Sequence, residues 1–337
     1  MQVTVFSAHQ YEHPFLLEAA QGRHELHLQL PALSLATANL AQGSQAVAIF
    51  ANDDASAPVL EALHALGIRY VAVRAAGHDQ VDLAAAQRLG LQVANVPEYS
   101  PHAIAEHAVA LMLALNRQLL RSQPLLHRAD FRLDELVGFN LHGKTVGLVG
   151  CGRIGAVLAR ILHGFGCKLL GQDIQPNPEL TERYGMRYLS LAALCAEADI
   201  ISLHAPLTPA THYMLGPDML ARCKPGAMII NTGRGGLLDT RAALAALQAG
   251  QLGYLGLDVY EYEKGLYFED HSQQPATDSL LTELLAQPNV LITAHQAFLT
   301  REALASIAAT TIASLDAWAQ SKPAEHELTA SPSPVSA

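Results

Sequence analysis

Apolar residues in this chain fall into short unbroken runs, separated by longer stretches in which they recur every three or four positions. The runs at Val3 to Phe6, Ala46 to Phe50, Tyr70 to Arg74 and Leu91 to Ala94 read as buried strands, and Pro58 to Leu66 and Asp82 to Leu89 between them have helical spacing. Such alternation predicts a parallel sheet covered by helices. From Pro101 to Arg121 the chain is Ala- and Leu-rich with no Gly or Pro after its first residue, which predicts one long helix with Ser100 as N-cap and Pro101 at the first position. Beyond Thr145 the alternation resumes through Ile200 to Ala205, Ala227 to Asn231, Tyr254 to Asp258 and Val290 to Thr293, and a helix from Arg301 to Trp318 follows.

The segment Thr145 to Asp173, TVGLVGCGRIGAVLARILHGFGCKLLGQD, concentrates the most information. It is a buried-strand run, a Gly-x-Gly-x-x-Gly turn, an apolar helix, a second strand and a terminal acid. Gly150 allows the sharp turn, Gly152 removes a side chain that would hold a pyrophosphate off the backbone, and Gly155 lets the helix pack on the strand. A phosphate would meet the helix N-terminus, where unpaired N–H groups and the helix dipole favour an anion. Asp173 is placed to accept hydrogen bonds from an adenosine ribose. It would repel a 2′-phosphate, and Ile174, Gln175 and Pro176 offer no Arg to neutralise one, so NAD is expected over NADP. Cys151, inside the turn, is either a small filler or a thiol activated by the helix end.

Because this turn lies mid-chain, the residues before it must form a separate domain. The expected organisation is an outer domain of residues 1–100 plus 297–337 and an inner, dinucleotide-binding domain of 101–296. The tail from Ser321 is Pro- and Ser-rich and reads as flexible. With 337 residues, 50% hydrophobic and 15% charged, the chain is large enough for two cores. A formal net charge of -10 without basic runs argues against nucleic-acid or anionic-membrane binding. The N-terminus has no secretory pattern, no apolar stretch reaches membrane-spanning length, and four scattered cysteines show no metal-like spacing. These features point to a soluble cytoplasmic protein without a metal site.

In an open parallel sheet the ligand lies across the carboxyl ends of the strands, so His204, Thr232 to Arg234, Asp258 and His295 are expected to converge on one crevice. Together with Glu263 they supply a cation, an acid and an imidazole. Reducing a ketone with a nicotinamide cofactor requires a proton for the developing alkoxide and a positive group near the carbonyl. His295 could donate the proton, and Glu263 could hold the other ring nitrogen and favour the imidazolium. Arg234 has the planar fork suited to a carboxylate. No G-x-S-x-G elbow or clustered zinc ligands support a hydrolase or a zinc enzyme.

The segments IFANDD (49–54), RAAGHDQVDL (74–83), VPEYSPHAIAEHAVALMLALNR (96–117), NTGRGGLLD (231–239), LDVYEYEKGLYFED (257–270) and HQAFLT (295–300) resemble the D-isomer-specific 2-hydroxyacid dehydrogenases over nearly the whole chain. Within that family the chain looks most like the fermentative NAD-dependent D-lactate dehydrogenases of bacteria. The resemblance implies two Rossmann-like or flavodoxin-like α/β domains with an active-site cleft between them. It implies that Arg234 binds the substrate carboxylate, Glu263 supports the histidine and His295 is the acid/base. Cofactor contacts carry over to Gly150, Gly152, Arg153, Ile154, Gly155, Asp173, His204, Ala205, Pro206, Thr211, Thr232, Gly233 and Asp258, and substrate contacts to Ala76, Gly77, Tyr99, Arg234 and Phe298. The implied reaction is the reversible reduction of pyruvate to D-lactate. Glyoxylate or a larger 2-oxo acid is the alternative substrate, and an NAD-sensing corepressor is the alternative from another class. A homodimer through the inner domain is implied, or a tetramer. Two departures stand out: Gly233 where relatives usually have Ser, and His78 where they more often have an apolar residue.

Overall fold

The computed structural model describes residues 1–273 and 278–329. Its contacts divide the chain into two compact units, 1–100 together with residues from 299 onward, and 101–298. Ala297 and Phe298 group with the second unit, where the Ala297 N–H donates to Asp258 Oδ2 at 2.9 Å.

The first unit contains β1 (Gln2–Val5), α1 (His13–Ala20), β2 (Glu25–Leu28), β3 (Ala46–Ile49), α2 (Ala57–Ala65), β4 (Tyr70–Val73), α3 (Leu83–Leu89) and β5 (Gln92–Ala94). Its five strands are parallel in the order β2-β1-β3-β4-β5, a flavodoxin-like arrangement. Strand alternation divides the core. Val47, Ile49, Val71 and Val73 face α2 and α3, whereas Val3, Val5, Ala46 and Ala48 face α1 and the C-terminal helix Arg301–Ala319. On that second face Trp318 stacks on Tyr70 with ring centroids 5.1 Å apart. The half-buried edge strand β2 has no long apolar run to announce it.

Arg74, just past β4, is completely buried. Its guanidinium donates to the carbonyls of Ala48 and Phe6, both at 2.9 Å, and to both carboxylate oxygens of Glu12 at 3.0 and 3.1 Å. One side chain therefore ties the ends of three neighbouring strands to the entry of α1.

The tail differs from the expectation of a flexible segment. The Leu328 N–H donates to the Val93 carbonyl at 2.7 Å, the Val93 N–H donates to Thr329 Oγ1 at 2.9 Å, and Glu327 bridges Ala94 in antiparallel fashion. Polar composition hid this segment because its backbone and Glu327 make the contacts, the latter accepting from Trp318 Nε1 and the Ala324 N–H. It covers an otherwise open sheet edge. Residues 330–337 of the expected flexible tail lie outside the described residues.

The second unit contains α4 (Pro101–Asn116), α5 (Leu119–His127), β6 (Thr145–Val149), α6 (Arg153–Gly164), β7 (Lys168–Gln172), α7 (Pro178–Tyr184), β8 (Arg187–Tyr188), α8 (Leu191–Glu197), β9 (Ile200–Leu203), α9 (Pro217–Leu220), β10 (Ala227–Asn231), α10 (Thr240–Gln248), β11 (Leu252–Leu257), α11 (Ser279–Leu285) and β12 (Val290–Ile292); the C-terminal helix of the first unit is α12. The seven parallel strands run β12-β11-β10-β9-β6-β7-β8, so the order reverses between β6 and β9, where doubly wound sheets bind ligands.

The single helix expected from Pro101 to Arg121 is instead two. Gln118 adopts φ 54°, and the chain returns at Phe139, whose N–H donates to the Asn116 carbonyl while its own carbonyl accepts from Asn116 Nδ2 at 2.8 Å. Gly138 permits this approach, since a Cβ there would overlap the Asn116 carbonyl oxygen. Among the described residues no helix is long and apolar enough to cross a membrane.

Replacing Arg74 with Met leaves Glu12 buried without its guanidinium partner and removes the donor to the Phe6 and Ser7 carbonyls. The expected loss of stability is about 3–5 kcal/mol, read by urea unfolding; a loss below about 1 kcal/mol would remove Arg74 from its structural role.

Candidate active site

At the end of β6 the chain turns through Gly150 with φ 91°, and a Cβ there would come within 2.6 Å of the Ala205 nitrogen and His204 carbonyl carbon. A Cβ on Gly155 would overlap the Gly150 carbonyl oxygen. Gly152, immediately before α6, has nothing within 4 Å of where its Cβ would be. The first and third glycines are thus required by the protein's own packing. The second leaves open space at a helix N-terminus, as an approaching pyrophosphate requires. Asp173 accepts from the Cys151 N–H at 2.6 Å and the Gln175 N–H at 2.9 Å, so it braces the glycine turn while each oxygen keeps a further acceptor position. Arg153 and Ile154 open α6.

Across the switch point, β9 delivers His204, Ala205 and Pro206. His204 Nε2 lies 2.8 Å from Ser202 Oγ, its Nδ1 is enclosed without a partner among the described residues, and burial pushes the imidazole down to about 4. It is therefore neutral near pH 7 and offers no charge to a phosphate. Thr211 donates to the Pro206 carbonyl at 2.6 Å and accepts from the Thr208 N–H at 2.8 Å, which closes the turn between them. At the end of β10 the Thr232 hydroxyl is enclosed and has no partner among the described residues. An orphaned hydroxyl at the same carboxyl end of the sheet as an open glycine turn and a carboxylate with spare acceptor capacity fit a dinucleotide.

Asn231, buried at the end of β10, shapes the turn that carries Arg234. Its Oδ1 accepts from the Gly233 N–H at 3.1 Å and its Nδ2 donates to the Arg234 carbonyl at 2.9 Å, while Arg234 Nη1 donates to the Gly233 carbonyl at 2.9 Å. Sequence reasoning passed over Asn231 as a site residue, although an Asn ahead of Gly-Arg-Gly at a strand end is a turn signal in its own right. A Cβ on Gly233 would sit 3.2 Å from the Leu203 carbonyl oxygen and from Leu237 Cδ1, so the position is confined on two sides. Gly235 is required for close approach: a Cβ there would overlap the backbone of Tyr260 and Glu261. The Arg234 turn therefore lies directly against the loop that carries Glu263.

That loop and the one after β12 meet in an imidazole–carboxylate pair. His295 Nδ1 lies 2.9 Å from Glu263 Oε1, and Glu263 Oε2 accepts from the Tyr260 N–H at 3.1 Å. Both side chains are partly exposed, at 22% and 29%. The carboxylate engages Nδ1, so Nε2 is the ring nitrogen turned away from it. His295 itself has φ 51°, a conformation L-residues seldom adopt, and its N–H donates to the Asp258 carbonyl at 2.7 Å. Asp258, fully buried, accepts from the Gln296 N–H on Oδ1 and the Ala297 N–H on Oδ2, both at 2.9 Å, and from the Thr293 hydroxyl at 2.6 Å. Burial pushes its carboxyl up, but hydrogen bonds from His107, Thr293 and Ala297 outweigh this and hold it below the usual carboxylate range. These bonds make Asp258 the frame of the His295 turn, a role that its sequence reading as a cofactor contact did not contain.

The structure thus brings Arg234, Glu263, His295, Asp258, Thr232 and the glycine turn to the carboxyl end of one sheet. Phe298 follows in the same unit and is 7% exposed. The other expected substrate contacts, Ala76, Gly77 and Tyr99, belong to the first unit, where the Ala76 carbonyl accepts from Asn95 Nδ2 at 2.8 Å. His78 Nδ1 lies 3.4 Å from the same carbonyl. No group of metal-binding side chains occurs among the described residues. Cys151 is buried, and burial pushes its thiol up to about 11, which favours the filler reading over an activated thiol.

The family model described as D-isomer specific 2-hydroxyacid dehydrogenase, NAD binding domain, matches residues 109–297. The D-lactate dehydrogenase of Escherichia coli K12 is 45% identical over 316 residues, covering 94% of this chain and 96% of that protein. Among solved structures, one described as the pyruvate reductase of Chlamydomonas reinhardtii superposes with a TM-score of 0.91 at 42% identity, covering 96% of this chain and 98% of that one. The D-lactate dehydrogenase of Aquifex aeolicus, complexed with NAD and lactic acid, superposes with a TM-score of 0.87 at 31% identity, covering 98% and 99%.

Since the Cys151 thiol is pushed up to about 11, it is expected to react with iodoacetamide near pH 7.5 at least about tenfold more slowly than an ordinary cysteine, and to speed up as pH rises toward that value. Mass spectrometry of labelled peptides measures this, and rapid labelling at neutral pH would revive the activated-thiol reading.

Proposed function

The chain belongs to the D-isomer specific 2-hydroxyacid dehydrogenase family, and on that premise we propose that it is a D-lactate dehydrogenase, interconverting pyruvate and D-lactate. It is an NAD-dependent oxidoreductase. The observation that carries the finer reading is the 2.9 Å pairing of His295 Nδ1 with Glu263 Oε1, on loops packed against the Arg234 turn.

Gly150, Gly152 and Gly155 with the α6 N-terminus would hold the pyrophosphate of NAD, Asp173 the adenosine ribose, and Thr232 a polar group of the cofactor. When bound, the reduced nicotinamide supplies a hydride. The protein's own residues do the rest. Arg234 binds the substrate carboxylate through its guanidinium and so sets the orientation of the 2-oxo group. Protonated His295 gives the proton from Nε2 to the carbonyl oxygen as alkoxide charge develops. Glu263 holds the ring in place through Nδ1. Lactate oxidation requires the neutral ring, which accepts the hydroxyl proton. It is therefore expected to gain as pH rises, while pyruvate reduction declines. Phe298, Ala76, Gly77 and Tyr99 are the proposed contacts around the small alkyl end and the carboxylate, and a bulky ring at Phe298 favours pyruvate over branched 2-oxo acids.

The chain's four cysteines are free thiols, which supports a reducing, cytoplasmic setting. Phe131, Leu133 and Val137 of the second unit are 72–81% exposed, which supports self-association through that unit as a homodimer.

His295→Gln is expected to lower kcat for pyruvate reduction by about 10²–10⁴-fold with NADH affinity nearly unchanged. Near-normal turnover would remove His295 from the acid/base role. With pyruvate, 2-oxobutyrate, glyoxylate and phenylpyruvate compared, pyruvate is expected to give the highest kcat/KM and a D product; an L product would sink the assignment. Light scattering on the eluting protein is expected to give twice the chain mass, and a monomer would contradict the proposed dimer.

A further inference from the structure

Helix α4 lies on β11, where the missing side chain of Gly256 gives it room: a Cβ there would be 3.2 Å from Leu115 Cδ1 and 3.4 Å from Leu111 Cβ. His107, Leu111 and Leu115 are spaced four apart and share one helix face. Gly256 and Asp258 are two apart on the strand path and share one sheet face. As Leu111 meets Gly256, His107, one helical turn further back, meets Asp258. The distances agree: His107 Nε2 is 3.0 Å from Thr293 Oγ1 and 3.3 Å from Asp258 Oδ1.

The direction of these bonds follows from proton counting. Thr293 has one hydroxyl hydrogen and gives it to Asp258 Oδ1 at 2.6 Å. Its oxygen must therefore accept from His107, so Nε2 carries a proton. That donor comes from a core helix, whereas the other donors to the Asp258 carboxylate come from the turn that presents His295, namely Thr293, Gln296 and Ala297. His107 therefore anchors the Asp258–Thr293 frame to α4, and the frame holds His295 at its left-handed φ of 51°.

From this geometry we infer that His107 is a positioning residue for the reaction, setting the orientation of the His295 imidazole through Thr293 and Asp258. The inference rests on the acid/base reading of His295. Retained activity in His295→Gln would defeat that reading, whereas the His107 variants test only the positioning role.

His107→Phe fills the space without a donor and is expected to lower kcat for pyruvate about 10- to 100-fold, because small misplacement of a catalytic group has effects of that size. KM for NADH should stay within about threefold, which separates this from a general structural defect. His107→Gln can donate through its side-chain amide and is expected to recover kcat to within about threefold of the parent. A Phe variant with parental kcat, or a Gln variant no better than Phe, would overturn the inference. Thr293→Val provides an independent route should His107→Phe fail to fold, and its kcat should fall by a similar factor. Where the Phe variant folds, combining the two should give no further loss, since both break one chain of bonds, and losses that multiply would overturn it.

Discussion

A carboxylate cannot be buried without donors, and Asp258 is buried completely just past β11, the strand next to the sheet's β12 edge. Its oxygens collect the Gln296 and Ala297 N–H groups and the Thr293 hydroxyl, and its carbonyl takes the His295 N–H. Satisfying one charge thus dictates the path of the whole turn after β12. The left-handed backbone at His295 would be unfavourable by about 1–3 kcal/mol in isolation. It persists because the turn is held on either side of that residue. The imidazole then has one orientation toward Glu263 instead of several.

The first unit solves the same physical problem with the opposite sign. Arg74 is buried as a cation, and strand-end carbonyls with the Glu12 carboxylate satisfy it. In both units a charged side chain just beyond a parallel strand gathers neighbouring chain segments, and burial strengthens each bond by excluding water. Glycines complete the construction by letting backbone meet backbone. Gly235 brings the Arg234 turn onto the Glu263 loop, and Gly155 brings α6 onto the β6 turn. The Arg234 turn, the Glu263 loop and the glycine turn are placed by these close approaches together with the strands.

Much of this was legible in the sequence, for identifiable reasons. Buried parallel strands are continuous apolar runs, so β1, β3, β4, β9, β10, β11 and β12 stood out, and Gly150, Gly152, Gly155 and Asp173 announced themselves by spacing. Arg234, Glu263 and His295 could be picked because each follows a strand end. What escaped depends on tertiary partners. The half-exposed β2 and the two-residue β8 have too little apolar pattern. The break at Gln118 follows from Gly138 and Phe139 returning to Asn116, a contact that helix propensity cannot register. Asn231 and the bracing role of Asp258 lie in side-chain bonds to backbone, and the ordering of residues 324–329 depends on an edge strand far away in sequence.

Dependence on distant segments also governs the order in which the protein can be completed. The second unit is one continuous stretch and has all its strands once synthesis passes β12. The first unit begins earlier but lacks Ile312, Leu315 and Trp318 of α12, which with α1 supply one face of its core, and the 327–329 segment that covers β5. Its N-terminal hundred residues must wait on the ribosome with an apolar face that α1 only partly covers and an unpaired edge until the rest of the chain has emerged. The part of the molecule made first is therefore the last to finish folding, and nascent-chain aggregation should be centred there.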